Sequence, residues 1–401
     1  MFNNILMVHN YYQSHAPSGE DGAFHEDEKM LRSKGHKITL FTRHNDEINQ
    51  FSSLRKLAFT YQVSWSRQSY AEIEQLIKQN KPDIAHIHNT FPLISPSIYY
   101  ALHKYDIPTV QVIHNYRLFC ASGIFYRKNK ICEECLEHGD IRAIMYGCYR
   151  NSRIQTLPLV FMHQVHRWLK TWTKYVDMYI ALTDFSRQKL ILGGLPEERV
   201  AIKPNFFSSM PEPSYSHRNY AVFLGRLSIE KGVRTLLKAW ENLKDIPIKI
   251  IGDGVLKDEV ISAAKNNPSI EFLGHIPNEQ CLELLKSSMF MVMPSEWYEG
   301  FPMTIREALA CGKPVIASRM GAMAELINDG GTGLLFETGN SDDLVSKVRW
   351  LVDHKDTAII MGKSARLEFE SKYTAEKNYD ILMEIYKKAT DIHKQKEKDR
   401  Q

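Results

Sequence analysis

Apolar runs of strand length recur at residues 5–9, 37–41, 83–87, 108–113, 178–182 and 200–202. Helical periodicity fills much of the sequence between them, at 70–79, 97–104 and 186–192. The first two runs are joined by a loop holding Pro17, Gly19 and Gly22, and then by a helix over about 24–34 that Gly35 closes. Six short strands alternating with helices predict a parallel, doubly wound sheet.

A second series of the same kind follows, at 220–224, 248–251, 270–273, 289–293, 314–318 and 334–336. Residues 203–218, KPNFFSSMPEPSYSHR, are rich in Pro and Ser with little periodicity and read as the join. The expected fold is therefore α/β with two Rossmann-like, doubly wound domains, one over 1–205 and one over 206–384. Such sheets bind ligands at the carboxyl ends of their strands. Two sheets facing across a cleft would place a site between them. A length of 401 residues agrees with two cores of ordinary size.

The densest chemistry lies in residues 291–318, MVMPSEWYEGFPMTIREALACGKPVIAS, which read as strand, loop, helix and strand. Glu299 falls in the loop and Glu307 in the helix, and Gly300, Phe301, Pro302 and Met303 lie between them. Ile305, Ala308 and Leu309 share one helical face, which leaves Thr304, Glu307 and Cys311 on a smaller polar face. Free amides at the start of that helix would suit an anion or a cluster of hydroxyls.

Upstream, FLGRLSIEKG ends a strand with Gly225 and opens a helix after Gly232, so Arg226 and Lys231 place two cations beside a helix start. Fixed positive charge of this kind stabilises a departing diphosphate. Gly252-Asp253-Gly254 is a second strand-end turn. Neither a Walker A sequence nor a G-x-G-x-x-G fingerprint is present. In the first half, His114-Asn115-Tyr116-Arg117 follows the strand at 108–113, at its carboxyl end. His86 and His88 share one strand face by alternation, but without a clear carboxylate partner they are weak evidence for a metal.

The E-x7-E run with EGF, EA and GKPVIAS resembles the signature of the retaining GT-B glycosyltransferases known as family 4. The resemblance covers nearly the whole chain and is most specific at 225–232 and 299–318. It implies that Glu299 holds the donor sugar's hydroxyls and Glu307 the ribose. The amides around Gly300, Phe301, Pro302 and Met303 would line the sugar and phosphate site, although Pro302 has no N–H to give. It further implies that Arg226 and Lys231 meet the diphosphate, that Gly225, Gly252 and Gly254 let the chain approach the donor, and that Ile276 in LGHIP contacts the base through its backbone. His114 would orient the reacting sugar and stabilise its charge. His114, Glu299, Arg226 and Lys231 thus form the expected catalytic set. Gly19, with Glu20, Asp21 and Gly22, matches the family's glycine-rich first loop only loosely, and a plain flexible turn is an equal alternative. Family precedent makes the first domain the acceptor binder and the second the nucleotide-sugar binder, with a final helix from 375 crossing back and a charged tail that frays.

The implied reaction moves a sugar from a UDP- or GDP-type donor to a glycan or lipid-linked hydroxyl, with no cofactor or divalent metal in the chemical step. Two rivals share the architecture, a sugar-nucleotide 2-epimerase and a non-catalytic nucleotide-binding subunit. HNYRLFC, ICEEC and GCYR also resemble a subset of family 4 enzymes from bacterial surface-polysaccharide pathways. Four cysteines fall in an insertion at about 115–150: Cys120, Cys132, Cys135 and Cys148. In a reducing compartment this clustering points to a structural zinc site, with four unligated thiols as the alternative.

A net charge of +4 is too mild for a dedicated nucleic-acid binder, and 43% apolar residues describe a globular chain. No apolar run approaches the roughly 20 residues that span a bilayer, and the first residues lack a secretory pattern. The expected location is cytoplasmic. Arg150, Arg153, Arg167, Lys170 and Lys174 are interleaved with Leu157, Leu159, Val160, Phe161, Trp168 and Trp172. Such a helix either lies on an anionic membrane face or packs its aromatics on a sheet, and the sequence leaves both open.

Overall fold

A computed structural model describes residues 2–14, 18–208 and 211–399. Pro17 of the expected first loop, Ser209 and Met210 of the expected join, and Arg400 and Gln401 of the tail lie outside the described residues. Fourteen strands are present among the described residues: β1 (Asn4–Tyr11), β2 (Lys37–His44), β3 (Ile84–Ile87), β4 (Thr109–Ile113), β5 (Tyr126–Arg127), β6 (Lys130–Ile131), β7 (Met178–Ala181), β8 (Val200–Ile202), β9 (Ala221–Leu224), β10 (Ile248–Ile251), β11 (Ile270–Gly274), β12 (Phe290–Met293), β13 (Val315–Ser318) and β14 (Gly333–Phe336). The twelve expected from the apolar runs are found within a few residues. They form two six-stranded sheets, ordered β2-β1-β3-β4-β7-β8 and β11-β10-β9-β12-β13-β14. All pairings within them are parallel.

Burial on both faces explains why these strands read as unbroken apolar runs rather than alternating ones. In the first sheet Ile5, Met7, Ile84, Val110 and Ile180 are fully inaccessible. In the second, Ala221, Phe223, Ile248, Ile250, Phe290 and Val292 pack with Leu236, Trp240 and Leu344 from flanking helices. The strand order reverses direction between β1 and β3 in one sheet and between β9 and β12 in the other. At such a point adjacent loops leave on opposite faces of the sheet and open a crevice at the carboxyl ends.

The chain divides into a unit of Met1–Ile124, Glu133–Ser208 and Ala375–Gln401 and a unit of Phe125–Cys132 and Ser209–Thr374. This corrects the expected boundaries. The first unit runs to 208 rather than 205, and the last helix, Ala375–Lys398, belongs with it from its first residue, as a helix crossing back from 375 requires, so the second unit ends at 374 rather than 384. The charged tail is helical through Lys398, where fraying was expected. The hairpin β5–β6, turning through Lys128 and Asn129 at φ of +52° and +59°, falls in the second unit. Its lack of Gly hid it from the sequence reading, because two-residue hairpins are recognised by Asn-Gly or similar pairs.

The helix after β1 begins at Gly19 rather than near Phe24. Ser18 caps it, its hydroxyl accepting from the Glu20 amide while the Asp21 carboxylate accepts from the Ser18 amide. Gly19 and Gly22 are thus first-turn helical residues and not loop residues. At Gly232, φ is +68° and a Cβ would sit 1.8 Å from the Pro294 carbonyl oxygen. Gly232→Ala should therefore destabilise the second unit by about 3 kcal/mol or more, read as a large fall in Tm. A melting curve like that of the wild type would contradict this close approach.

Candidate active site

The second unit gathers its functional side chains at its switch point. The turn after β9 carries Gly225 to Lys231 and the loop after the neighbouring β12 carries Ser295 to Glu299. Glu299 is buried, and its Oε1 accepts from Lys231 Nζ at 2.6 Å, Ser295 Oγ at 2.8 Å and Trp297 Nε1 at 2.9 Å. Its Oε2 accepts no hydrogen bond among the described residues. One carboxylate oxygen is thus anchored by three donors. The Lys231 ammonium also lies 5.4 Å from the Trp297 ring centroid.

Gly252 (φ +144°) ends β10 so close to Gly225 that a Cβ would meet the Gly225 carbonyl oxygen at 1.9 Å. Arg226 is exposed and donates to Glu230 Oε1 at 3.0 Å, which Ser228 Oγ also reaches. An exposed pair of this kind is weak, so Arg226 can be redirected to a ligand at little cost. Gly254 opens the turn into the next helix. Ile276 is partly exposed, and its carbonyl faces the Cys281 thiol.

Pro302 precedes the helix Met303–Ala310, whose first turn has no side-chain cap. Phe301 is buried edge-on against Tyr373, so it supports the loop with its ring. Glu307 lies in this helix without a hydrogen bond among the described residues, and Arg306 stays 3.7 Å away. Burial pushes its carboxyl up to about 7, Arg306 only partly offsetting the effect. Cys311, expected on the same polar face, is instead fully buried.

The first unit holds a network that sequence reading found only in part. His114, at the end of β4, meets His88 (Nε2 to Nδ1, 3.0 Å), His88 meets His86 (Nε2 to Nε2, 2.9 Å), and His86 Nδ1 meets the Tyr386 hydroxyl at 2.9 Å. Asp27 Oδ2 lies 3.4 Å from His88 Nε2 and 3.6 Å from His86 Nε2, and Lys203 Nζ is 2.8 Å from Asp27 Oδ1. Burial opposes ionisation of Asp27, yet Lys203 and the two imidazoles hold its carboxyl well below its usual range. Burial keeps the rings neutral, pushing His88 down to about 3 and His114 well below its ordinary value.

Asp27, His86 and His88 bring three ligand atoms within 4.8 Å of one another and supply the carboxylate that the sequence did not reveal. Lys203 already neutralises that carboxylate, however, and a dication there would face a buried ammonium. The group therefore works as a hydrogen-bonded array.

His114 also lines an open cavity of about 560 Å³ with Glu20, Asn89, Tyr99, Arg117 and Trp172. Glu20, buried at the helix start, accepts from the Tyr12 hydroxyl at 3.1 Å, and burial raises its carboxyl. The structure thus brings Glu20, rather than Gly19, to this cavity.

The cysteines are all free thiols. Cys120, Cys135 and Cys148 share the first unit and Cys132 belongs to the second. A hydrogen bond with the Cys120 thiol, burial and the nearby Cys148 together push the Cys135 thiol well above its ordinary value. Cys120, Cys135 and Cys148 do not form a group with all three sulfurs within 4.8 Å among the described residues.

Residues 207–368 match the family model "Glycosyl transferases group 1", and residues 28–208 match "Glycosyltransferase Family 4". An uncharacterised glycosyltransferase, MJ1178 of Methanocaldococcus jannaschii, is 35% identical over 175 residues, 43% of this chain and 49% of its own. The D-rhamnosyltransferase WbpZ of Pseudomonas aeruginosa is 32% identical over 39% of this chain and 42% of its own. The matched regions thus span less than half the length of these curated relatives. The crystal structure of Alr3699/HepE from Anabaena in complex with UDP superposes with a TM-score of 0.65 at 17% identity, covering 95% of this chain and 98% of that one. The fold is therefore GT-B.

The Tyr386 hydroxyl is buried and makes no other hydrogen bond among the described residues, so its proton is best satisfied on His86 Nδ1. His86 then carries its own proton on Nε2, on the side of His88 and Asp27. Tyr386→Phe removes the donor that fixes this tautomer. Nitrogen NMR should show His86 as the Nε2–H tautomer in the wild type and as a mixture in the variant. An unchanged His86 spectrum would contradict the assignment.

Proposed function

With glycosyltransferase domains matched in both halves of this GT-B chain, we propose that the protein moves a sugar from a nucleoside diphosphate sugar to a hydroxyl acceptor with retention of anomeric configuration. The observation that carries this reading is Glu299, whose one oxygen is fixed by Lys231, Ser295 and Trp297 while the other is free, at the switch point of the second sheet. A carboxylate held in this way accepts from sugar hydroxyls without having to be reoriented on binding. Glu307, half-buried and with only the 3.7 Å contact to Arg306, suits a ribose, whose two hydroxyls supply hydrogen-bond donors to its carboxylate.

In the proposed reaction the bond between the anomeric carbon and the diphosphate oxygen breaks with its electron pair moving to the leaving group. Lys231, Arg226 and the uncapped amides at Met303–Ala310 stabilise that charge in place of a divalent metal. The acceptor oxygen bonds the anomeric carbon on the same face, and its proton passes to the departing phosphate. His114 is assigned to the donor sugar as a neutral hydrogen-bond donor. The acceptor is assigned to a glycan or lipid-linked chain of the cell-surface polysaccharide type, on the resemblance of the segment from His114 to Arg150.

Glu307→Ala should weaken nucleotide binding roughly ten- to a hundredfold, the worth of one or two hydrogen bonds to a charged group. His114→Ala should leave that binding nearly intact and lower kcat by about two orders of magnitude. Normal turnover of the donor by either variant would remove its assignment. Incubation with donor alone separates transfer from 2-epimerisation, since only the epimerase converts the sugar without an acceptor.

The Glu307 carboxyl titrates near 7, so it is mostly protonated below that pH and mostly ionised above it. A protonated carboxyl keeps only part of its acceptor capacity. Nucleotide affinity should therefore rise by up to about tenfold between about pH 6 and about pH 8. Calorimetric titration of the wild type and of Glu307→Gln checks this, because the amide variant should show a flat profile over the same range.

A further inference from the structure

The helix Arg153–Trp168 turns one face into its own unit, with Leu159, Val160 and Met162 buried. It also carries a second apolar face that its fold leaves uncovered. Ile154 is 83% exposed, Leu157 53%, Phe161 51% and Trp168 82%. At 3.6 residues per turn these four fall within an arc of about 60°. The adjoining helix Arg142–Tyr146 adds exposed Met145 and is tied to the first by Arg153, whose Nε donates to the Met145 carbonyl at 3.0 Å. Ile141, just before it, is also exposed.

Two readings of this aromatic, basic stretch were open from sequence, and exposure separates them. Trp172 does pack inward, its ring 5.8 Å from Tyr99. Trp168, Phe161 and Leu157 do not. Single exposed apolar residues are ordinary, but a continuous stripe of them on neighbouring helices marks an interaction surface.

Charge identifies the occupant. Between residues 141 and 176 the chain has six Lys or Arg (Arg142, Arg150, Arg153, Arg167, Lys170 and Lys174) and no Asp or Glu, whereas the whole protein is nearly balanced at 51 basic against 47 acidic residues. The nearest acid on the packed elements, Asp140, is buried and already engaged by His163 and Gln164, each at 2.5 Å. A second copy of this chain is a poor partner, because a two-fold pairing would bring two such cationic segments together. No helix among the described residues is long and apolar enough to cross a membrane.

We propose that this face lies on an anionic lipid bilayer. Ile154, Leu157, Phe161 and Trp168 enter the boundary between headgroups and acyl chains, and the flanking Arg and Lys side chains meet lipid phosphates. Trp suits that depth because its ring is apolar and its indole N–H is polar. The inference does not rest on the sugar-transfer reading, since its four inserted side chains lie on the helix Arg153–Trp168, which carries no residue assigned to donor or acceptor. It would nonetheless bring a lipid-linked acceptor to the protein by diffusion in two dimensions.

The experiment is flotation of the full chain with vesicles of phosphatidylcholine alone or with phosphatidylglycerol added, at low and high salt. The wild type should float with the phosphatidylglycerol vesicles and bind them at least about tenfold more tightly than phosphatidylcholine alone, an advantage that salt erodes. Phe161→Ser with Trp168→Ser should abolish flotation while nucleotide binding and Tm stay at wild-type values. Arg150→Glu with Lys170→Glu should remove the preference for the anionic lipid. Wild-type protein that stays with the soluble fraction would overturn the proposal, as would a Phe161→Ser, Trp168→Ser protein that floats normally. So would sedimentation analysis showing a dimer that this double variant dissolves, which would assign the face to a second copy. Loss of nucleotide binding by the wild type would instead count against the transfer reading and leave this one standing.

Discussion

The half-buried ion pair between Lys231 and Glu299 is the constraint on which the arrangement of these loops in the second unit depends. It joins the turn after β9 to the loop after β12, two segments brought side by side only because the strand order reverses there. Burying one charge alone would be prohibitive, so each residue fixes the other, and Ser295 and Trp297 complete the solvation of Glu299. The glycines follow from the same closeness. Gly232 lies against Pro294 and Gly252 against Gly225, where no side chain fits. What remains is a carboxylate held at one oxygen and open at the other.

The first unit solves a different problem with similar means. His86, His88, His114, the Tyr386 phenol and the Asp27 carboxylate are packed on β3, at the end of β4 and on the helices beside them, and the Lys203 ammonium arrives from the end of β8. Burial disfavours protonation of these three imidazoles, and Asp27 spends its attraction on Lys203 as well as on His86 and His88. Hydrogen-bond direction, and not net charge, is what such an array can transmit. His9 belongs to its edge, bonded to Asp21 at 2.8 Å and stacked on Phe24. The cap of the first helix and the histidine array thus share a residue pair.

The same economy is visible in the segment from 141 to 176, which serves two environments at once. One side of its longer helix closes the unit's own core, and the other offers aromatic and aliphatic groups among cations to the exterior. A helix obliged only to cover a sheet would show polar residues on that outer face.

Sequence alone determined the two sheets, because strands buried on both faces must be apolar along their whole length and so announce themselves. It also placed the glycines, cations and two acids of 225–232 and 299–307 at strand ends and a helix start, because every spacing there is local. Tertiary structure decided the rest. Asp27, Lys203 and Tyr386 join His86 and His88 from three distant elements, and no local pattern encodes a hydrogen bond spanning 300 residues. The first helix began at Gly19 because a capping box outweighed the helix-weakening tendency of two glycines. The hairpin at 126–131 was invisible because its turn uses Lys and Asn at positive φ. Which aromatics of 153–172 face inward was settled by packing, since both faces of that helix are apolar and periodicity cannot rank one above the other.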